Sequence, residues 1–250
     1  MKILITFLSI FLFLQSNELE EGIKLFEEKK FEKAFEKLLP LAKKGDFKAE
    51  FYIGLIYDMG SIKFMDKEKA VQWYLKSAKK GFARAQYDMG VMLSKGEGIK
   101  KDLKEAIKWY LLAAKQKNPQ ALFNLGVIYQ KGYGTDKNLT LAKKFYKEAL
   151  EENLSKAGYN LGTIYYKKDN FKRAFFYFKK ASELGNKKAM FFLAWLYENG
   201  FGVKRDFEKA KYWYKLSATK GEKRAILKYI EILKSENKTS QIKFWEKVLK

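Results

Sequence analysis

The strongest constraint on the fold is a block of residues that recurs along the chain at a nearly constant spacing. Each block opens with an alanine, in most copies has a glycine five residues later, and then carries an aromatic pair. The opening alanines are Ala49, Ala85, Ala121, Ala157, Ala189 and Ala225, with steps of 36, 36, 36, 32 and 36 residues. A period in this range is typical of stacked helical repeats. Such an architecture more often provides a binding surface than a catalytic centre.

The first half of each block has the spacing of one helix. Ala85, Met89 and Leu93 stand four residues apart, as on one apolar stripe of an α-helix. A glycine in the middle of a helix costs about 1 kcal/mol relative to alanine. Its recurrence therefore predicts that a second helix approaches closely at this point. The residues at this position are Gly54, Gly90, Gly126, Gly162 and, in the next block, Ala194.

The second half of each block predicts another helix. It opens at an Asp or Asn that can accept hydrogen bonds from unpaired backbone N–H groups, namely Asp66, Asp102, Asn138, Asn170 and Asp206. It then carries the pairs Trp73-Tyr74, Trp109-Tyr110, Phe145-Tyr146, Tyr177-Phe178 and Trp213-Tyr214. It ends near Gly81, Asn153, Gly185 or Gly221, and Gly and Asn are the residues expected just past a helix.

These blocks resemble the Sel-1-like repeat, a branch of the tetratricopeptide superfamily. The clearest match is AQYDMGVMLSKGEG at residues 85–98, followed by KDLKEAIKWYLLAA at residues 101–114. Three blocks have the family's Gly-x-Gly loop between the two helices, at Gly96-Gly98, Gly132-Gly134 and Gly200-Gly202. The fourth block lacks this loop, because Gly162 and Ala174 are 12 residues apart where Gly126 and Ala142 are 16 apart.

The resemblance implies an all-α fold, an α-solenoid with a right-handed superhelix of about seven antiparallel helix pairs. A single repeat domain is expected over residues 17–250. The repeats are expected near residues 17–45, 46–81, 82–117, 118–153, 154–185, 186–221 and 222–250. The first and last of these diverge from the pattern, as terminal repeats do when one face meets water.

The first 16 residues, MKILITFLSIFLFLQS, predict a secretory signal peptide. They hold one lysine, an apolar run from Ile3 to Leu14, and Ser16 as the last residue before cleavage. An uncleaved anchor and a helix of the first repeat are the alternatives, but the run is shorter than the ~20 residues that span a bilayer. No cysteine follows that could carry a lipid, and no other segment has the composition of a transmembrane helix. We therefore expect an exported protein, periplasmic or secreted, of a bacterial envelope.

The residue inventory restricts the possible chemistry. The chain has no histidine and no cysteine, so it cannot build Ser-His or Cys-His nucleophile pairs or the usual zinc sites. We expect no cofactor, no metal and no catalytic residue. Ser-x-x-Lys, a motif of penicillin-recognising enzymes, occurs at Ser77-Lys80, Ser217-Lys220 and Ser235-Lys238, but without Ser-Asp-Asn or Lys-Thr-Gly. Because some cysteine-rich Sel-1-like proteins are described as penicillin-binding or β-lactam-hydrolysing, a β-lactam hydrolase is the alternative function.

The net charge of +22 favours anionic partners. Acidic proteins or peptides, anionic envelope polymers and lipid surfaces fit this charge. Nucleic acid fits less well, because only four residues are arginine, the side chain that contacts phosphates and base edges in bidentate fashion. The alternative is that most of the lysines only solvate the outer faces of helices.

The resemblance also indicates where a partner would bind. In tetratricopeptide-like stacks the first helices line the concave face, and the residue two after the opening alanine points into the groove. Aromatics beside cations suit peptides, glycans and acidic termini. The concave-face residues are Phe51, Tyr87, Phe123, Tyr159 and Phe191, with Lys95, Lys131, Tyr166, Lys167 and Trp195 beside them. Packing between repeats is the alternative role. The predicted function is a non-enzymatic exported scaffold that binds a protein segment or envelope polymer in this groove.

Overall fold

A computed structural model describes residues 17–61 and 63–249, and these residues form helices and short connections without any strand. The helices are α1 (residues 17–27), α2 (Phe31–Lys43), α3 (Phe47–Met59), α4 (Lys67–Lys79), α5 (Ala83–Lys95), α6 (Leu103–Lys115), α7 (Pro119–Lys131), α8 (Leu139–Glu151), α9 (Ser155–Tyr166), α10 (Phe171–Glu183), α11 (Lys187–Asn199), α12 (Phe207–Thr219), α13 (Lys223–Ser235) and α14 (Thr239–Leu249). The fold is all-α, as predicted, with seven consecutive helix pairs in this part of the chain. The predicted leader, residues 1–16, lies outside the described residues.

The helices group into two compact units. Unit 1 comprises the described residues up to 121 together with residues 132–136, and unit 2 comprises residues 122–131 and 137–249. Each unit is built from the same element, a first helix followed by a second helix that packs on it. Within the described residues, no helix combines the length and the apolar character needed to cross a bilayer.

The predicted cap residues start the second helices. Each of the five accepts a hydrogen bond from the backbone N–H three residues later, and the partners are those of Lys69, Glu105, Leu141, Arg173 and Lys209. The predicted ends are confirmed as well, because Gly81, Asn153, Gly185 and Gly221 all have positive φ angles. This left-handed conformation stops a helix and is easiest for Gly and Asn. Local sequence therefore fixes the bounds of these helices.

The contact between the two helices of a repeat is centred on the mid-helix glycine. A Cβ atom at Gly126 would lie 2.5 Å from the ring of Tyr146, and one at Gly162 would lie 2.5 Å from the ring of Phe178. These distances are too short for any real side chain, so the predicted close approach is confirmed. The ring in contact is always the second member of the aromatic pair. These second members, Tyr74, Tyr110, Tyr146, Phe178 and Tyr214, are 0–2% exposed.

The buried tyrosines also anchor their hydroxyl groups on the first helix. The Tyr146 hydroxyl donates to Gln130 Oε1 at 2.7 Å, and the Tyr214 hydroxyl donates to Glu198 Oε2 at 2.7 Å. In each case the partner stands four residues after the mid-helix glycine or alanine. The shortened repeat is different, because Phe178 has no hydroxyl group and the partner position holds Tyr166. In this repeat, both the tyrosine and the residue that would be its hydrogen-bond partner are therefore replaced.

The Gly-x-Gly loops cover the preceding repeat. A Cβ at Gly98 would lie 2.2 Å from the carbonyl oxygen of Lys67, and one at Gly202 would lie 2.4 Å from the carbonyl of Phe171. In the α11–α12 loop, Phe201 also stacks on Phe171 with ring centroids 4.7 Å apart. Each loop thus lies on the first residue of the preceding second helix. The α9–α10 connection spans only residues 167–170 and has no glycine to make this contact.

Candidate functional site

The ten predicted groove residues occupy three kinds of environment. Phe51 is 1% exposed and packs against Tyr52, Tyr74 and Phe82, so it offers no surface to a ligand. The other six aromatic residues are half-buried, and they are Tyr87, Phe123, Tyr159, Tyr166, Phe191 and Trp195. The lysines Lys95, Lys131 and Lys167 are exposed.

Trp195 is held in an aromatic cluster of unit 2. Its ring meets Tyr166 edge-on at 5.4 Å and Phe201 at 5.2 Å. Tyr166 in turn contacts Phe192 at 5.5 Å, and Phe192 stacks on the buried Phe178 at 5.0 Å. Phe192 was not predicted, because its position holds polar residues in the three preceding blocks. Trp195 therefore packs on its neighbours while keeping part of its surface accessible.

Two of the predicted residues line a cleft on the first helices of unit 2. This cleft, called here the lysine–aromatic cleft, has a volume of about 360 Å³. It is lined by Phe123, Lys156, Tyr159, Asn160, Asn186, Lys187 and Lys188. Because this set contains no carboxylate, the cleft combines ammonium and amide donors with two aromatic rings. Such a surface suits a polar, negatively charged chain that also has apolar groups.

Local structure explains how the polar groups of the cleft are placed. Asn186 is the N-cap of α11, and its side-chain oxygen accepts a hydrogen bond from the Ala189 N–H at 3.0 Å. Lys187 and Lys188 follow it in the first turn of α11, and Lys187 Nζ donates to the Gly221 carbonyl at 3.0 Å. Lys156 and Lys188 are exposed and form no salt bridge with any described residue. These two lysines are therefore available to an anionic ligand.

A repeated sequence signal accounts for the basic residues. The residue directly before the opening alanine is basic in five of the six blocks, at Lys48, Arg84, Lys156, Lys188 and Arg224. Two of these cover the aromatic position of the preceding block: the Arg84 guanidinium lies 5.1 Å from the Phe51 ring centroid, and that of Arg224 lies 4.6 Å from Phe191. Cation–π attraction favours this arrangement. Where the basic residue is Lys156 or Lys188, the corresponding rings Phe123 and Tyr159 line the open cleft.

The serines of the Ser-x-x-Lys motifs have structural partners. Ser77 and Ser217 are fully buried, and their hydroxyl groups donate at 2.7 Å to the carbonyls of Phe47 and Lys187. Lys80 Nζ is 2.6 Å from Glu50 Oε1, and the Ser235 hydroxyl donates to the Ile232 carbonyl at 2.8 Å. A nucleophile needs an accessible oxygen and a nearby base. Ser77 and Ser217 lack that access. No group of potential metal ligands occurs among the described residues.

Consecutive helix pairs that repeat the same packing within each unit define a helical-repeat fold. The chain belongs to the Sel1 repeat family, because the Sel1 repeat model matches residues 47–82, 83–118, 119–154, 153–186 and 187–222. The resemblance drawn from the sequence is thereby confirmed. This repeat fold suggests that the protein has a role in protein–protein interaction.

Solved structures support the same assignment. A Sel1 repeat protein from Oxalobacter formigenes is 33% identical, with a TM-score of 0.78 over 93% of this chain and 96% of that one. A protective antigen of uropathogenic Escherichia coli with an SLR fold is 27% identical, with a TM-score of 0.87 over 94% of this chain. The match spans 53% of the length of that antigen. A comparison with curated proteins gives no match.

Proposed function

We propose that this protein is an exported, non-enzymatic scaffold that binds an acidic segment of a partner protein in the lysine–aromatic cleft. The observation that carries the proposal is the convergence of Lys156 and Lys188 on the rings of Phe123 and Tyr159 without a carboxylate among the lining residues. The scaffold fold and the net charge of +22 support it. An anionic envelope polymer is the other ligand class with this chemistry. The buried hydroxyl groups of Ser77 and Ser217 give no support to a β-lactam hydrolase.

The chemistry of the cleft suggests how such a segment would bind. Carboxylates of the segment would pair with the ammonium groups of Lys156 and Lys188, and charge-assisted hydrogen bonds of this type are roughly twice as strong as neutral ones. The rings of Phe123 and Tyr159 would cover apolar groups of the same segment. The remaining surface lysines would raise the association rate by long-range attraction. The affinity would then depend on the residues of the cleft, whereas the association rate would depend on the charge of the whole surface.

Reversing the two cleft charges is expected to abolish capture of the partner. Lys156→Glu/Lys188→Glu places carboxylates beside an acidic segment, and like-charge juxtaposition costs several kcal/mol. The measurement is a pull-down from the native envelope fraction with wild type and this variant, followed by identification of the retained proteins. Both lysines are exposed, so the variant is expected to keep its fold, which circular dichroism checks.

A matched control separates the cleft from the overall charge. Lys215→Glu/Lys234→Glu changes the net charge equally at exposed positions on α12 and α13. A protein retained by wild type and by this control, but lost from the cleft variant, supports the proposal. Equal loss from both variants would show that bulk charge alone attracts the partner. A bound ligand that survives digestion of the envelope fraction with protease would identify a polymer instead. Trp195 is less suitable for this test, because its truncation also removes packing against Tyr166 and Phe201.

Export is tested by the N-terminus of the mature protein. We expect the protein isolated from the native periplasm or medium to begin at Asn17, because Ser16 ends the predicted leader. Intact mass spectrometry of the isolated protein provides the measurement. A chain that retains Met1 and fractionates with the cytoplasm would contradict export, but it would leave the cleft binding experiment unaffected.

A further inference from the structure

The shortened repeat leaves part of α8 uncovered. In the neighbouring repeat of unit 2, the α11–α12 loop lies on the first residue of α10, where Phe201 stacks on Phe171. The equivalent loop over the first turn of α8 would come from the α9–α10 connection, but the fourth block is four residues shorter than its neighbours and this connection has no Gly-x-Gly. At this place the structure has a cleft of about 570 Å³, lined by residues that include Thr140, Lys143 and Arg173.

This cleft continues along α8 into a second one. The second cleft has a volume of about 520 Å³, and Lys147 and Glu151 of α8 line both. Its walls are more apolar, with Leu150, Phe176 and Leu184 among the lining residues. Phe176 is 50% exposed and Leu184 is 39% exposed, which leaves apolar surface open to a partner. Together the two clefts form what is called here the α8 groove, which extends from Thr140 to Asn153.

The α8 groove is predominantly basic. Its cations are Lys143, Lys144, Lys147, Arg173 and Lys180, and its carboxylates are Glu148, Glu151 and Glu183. Two of the three carboxylates already have a lysine nearby: Glu148 lies 4.0 Å from Lys144, and Glu183 lies 3.9 Å from Lys179. Within the described residues, Lys143, Lys147 and Arg173 form no salt bridge. Lys143 and Arg173 instead lie over the ring of Tyr165, at 5.8 and 5.4 Å from its centroid.

We propose that the α8 groove is a second docking site, separate from the lysine–aromatic cleft, and that its occupant is an acidic amphipathic helix of a partner protein. The basic half of the groove would pair with the acidic face of this helix. The exposed Phe176 and Leu184 would receive its apolar side chains. The groove follows α8 from Thr140 to Glu151, which is 12 residues or about 18 Å at 1.5 Å per residue, and this length matches a helix of about three turns.

The charge argues against a second copy of this chain as the occupant. Two molecules of net charge +22 repel each other, and the residues that line this groove include five cations and only three carboxylates. A partner of opposite charge relieves the repulsion between the groove's own cations. The occupant is therefore a different protein with an acidic helix.

The first test restores the missing loop. Replacing residues 167–169 by the seven residues 199–205 (NGFGVKR) gives the α9–α10 connection the length of its neighbour and covers the first turn of α8. The exchange raises the net charge by one, so a loss of binding cannot come from a loss of positive charge. The probe is a fluorescein-labelled 18-residue peptide with leucines at helical spacing and glutamates on the opposite face, measured by fluorescence anisotropy. We expect the grafted protein to bind it at least about tenfold more weakly, a change of about 1.4 kcal/mol.

The second test keeps the loop and changes the charges. Lys147→Glu/Arg173→Glu is expected to weaken binding of the probe by about tenfold or more, whereas Lys215→Glu/Lys234→Glu, with the same net charge, is expected to change it by less than about twofold. The lysine–aromatic cleft variant Lys156→Glu/Lys188→Glu is expected to bind the probe as the control does. A probe of the same length and net charge, in which two central uncharged residues are replaced by proline to prevent helix formation, is expected to bind more weakly.

The outcomes separate the alternatives. Equal weakening by the groove variant and the control would overturn the proposal in favour of bulk charge. Wild-type affinity of a grafted protein that also has the wild-type circular dichroism spectrum would overturn the proposal as well. It would show that binding does not depend on the uncovered first turn of α8. If the graft fails to fold, the charge variants decide the question alone. A wild-type dimer in sedimentation that the graft converts to a monomer would show that the groove binds another copy of this chain, contrary to the proposal.

Discussion

Tyr146→Ala is expected to lower the free energy of unfolding by about 3–5 kcal/mol, the range observed when a large core aromatic is truncated. The Tyr146 ring is 0% exposed and lies on Gly126, so its removal leaves a cavity that the backbone of α7 cannot fill. Its hydroxyl also loses the hydrogen bond to Gln130. Burial raises the pKa of this hydroxyl to about 12, so it is a neutral donor at physiological pH. Urea unfolding followed by circular dichroism gives the value.

Two variants control this prediction. Phe145→Ala removes the neighbouring aromatic residue, which is only half-buried, and is expected to cost less than half as much. Tyr146→Phe retains the ring and loses only the hydroxyl, with an expected cost of about 1 kcal/mol. If Phe145→Ala proves as destabilising as Tyr146→Ala, then the buried ring on the glycine is not the centre of the repeat. Equal costs for Tyr146→Phe and Tyr146→Ala would attribute the effect to the hydrogen bond.

The period of the blocks was sufficient to predict the helix pairs, because spacing, caps and terminal glycines are local signals. The recurring mid-helix glycine predicted a close contact, and the structure confirms it at Gly126 and Gly162. The sequence did not reveal which member of each aromatic pair lies inside. Adjacent residues on a helix point about 100° apart, and both are aromatic, so the choice depends on the rotation of the second helix against the first. Trp109, for example, is half-buried, while Tyr110 beside it is buried.

The surface residues were harder to predict for a related reason. The family pattern placed Phe51 and Phe123 at equivalent positions, yet Arg84 helps to cover the first, whereas the second lines an open cleft. The difference depends on the residue that the following repeat contributes, which is an arginine in one case and Lys156 in the other. An alignment of the blocks shows which basic residue each repeat has, but not which ring of the preceding repeat that residue contacts. Their effect becomes visible only when neighbouring repeats are stacked.

The α8 groove shows the same dependence on a neighbour. The sequence shows that the fourth block is four residues short, and this alone predicts an ordinary short turn. The consequence appears on a different helix, because the loop that is missing would have covered the first turn of α8 rather than its own repeat. A deletion in one repeat therefore changes the surface of the repeat before it.

Asp88→Asn is expected to stabilise the protein by about 2–4 kcal/mol at pH 8 and to have little effect at pH 4. The pKa of the Asp88 carboxyl is raised to about 7, mainly by burial and to a smaller extent by the nearby Asp58 carboxylate, while Arg84 opposes both effects. Asp58 from α3 has its own partners, since it accepts hydrogen bonds from Tyr74 of α4 and from Lys67. Asp88 therefore lies near a carboxylate that has two hydrogen-bond donors of its own.

The sign of the pH dependence follows from the raised pKa. Between about pH 4 and pH 7 the folded state holds a proton on Asp88 that the unfolded state has released, so the stability falls as the pH rises through this range. Asparagine cannot ionise and avoids this loss. The next two repeats already have an amide at this position, Asn124 and Asn160, so the substitution fits the helix. Urea unfolding of wild type and variant at pH 4, 6 and 8 measures the difference.

A surface control and the shape of the pH profile distinguish ionisation from packing. Asp136→Asn removes an exposed carboxylate and is expected to change the stability by less than about 0.5 kcal/mol at each pH, the usual range for surface substitutions. If Asp88→Asn stabilises the protein equally at pH 4 and pH 8, then the gain comes from packing, and Asp88 is not protonated in the folded state at acidic pH. A gain that grows between pH 4 and pH 8 requires a buried carboxyl that gives up its proton near neutrality. Unit 1 would then be less stable in a neutral than in a mildly acidic medium.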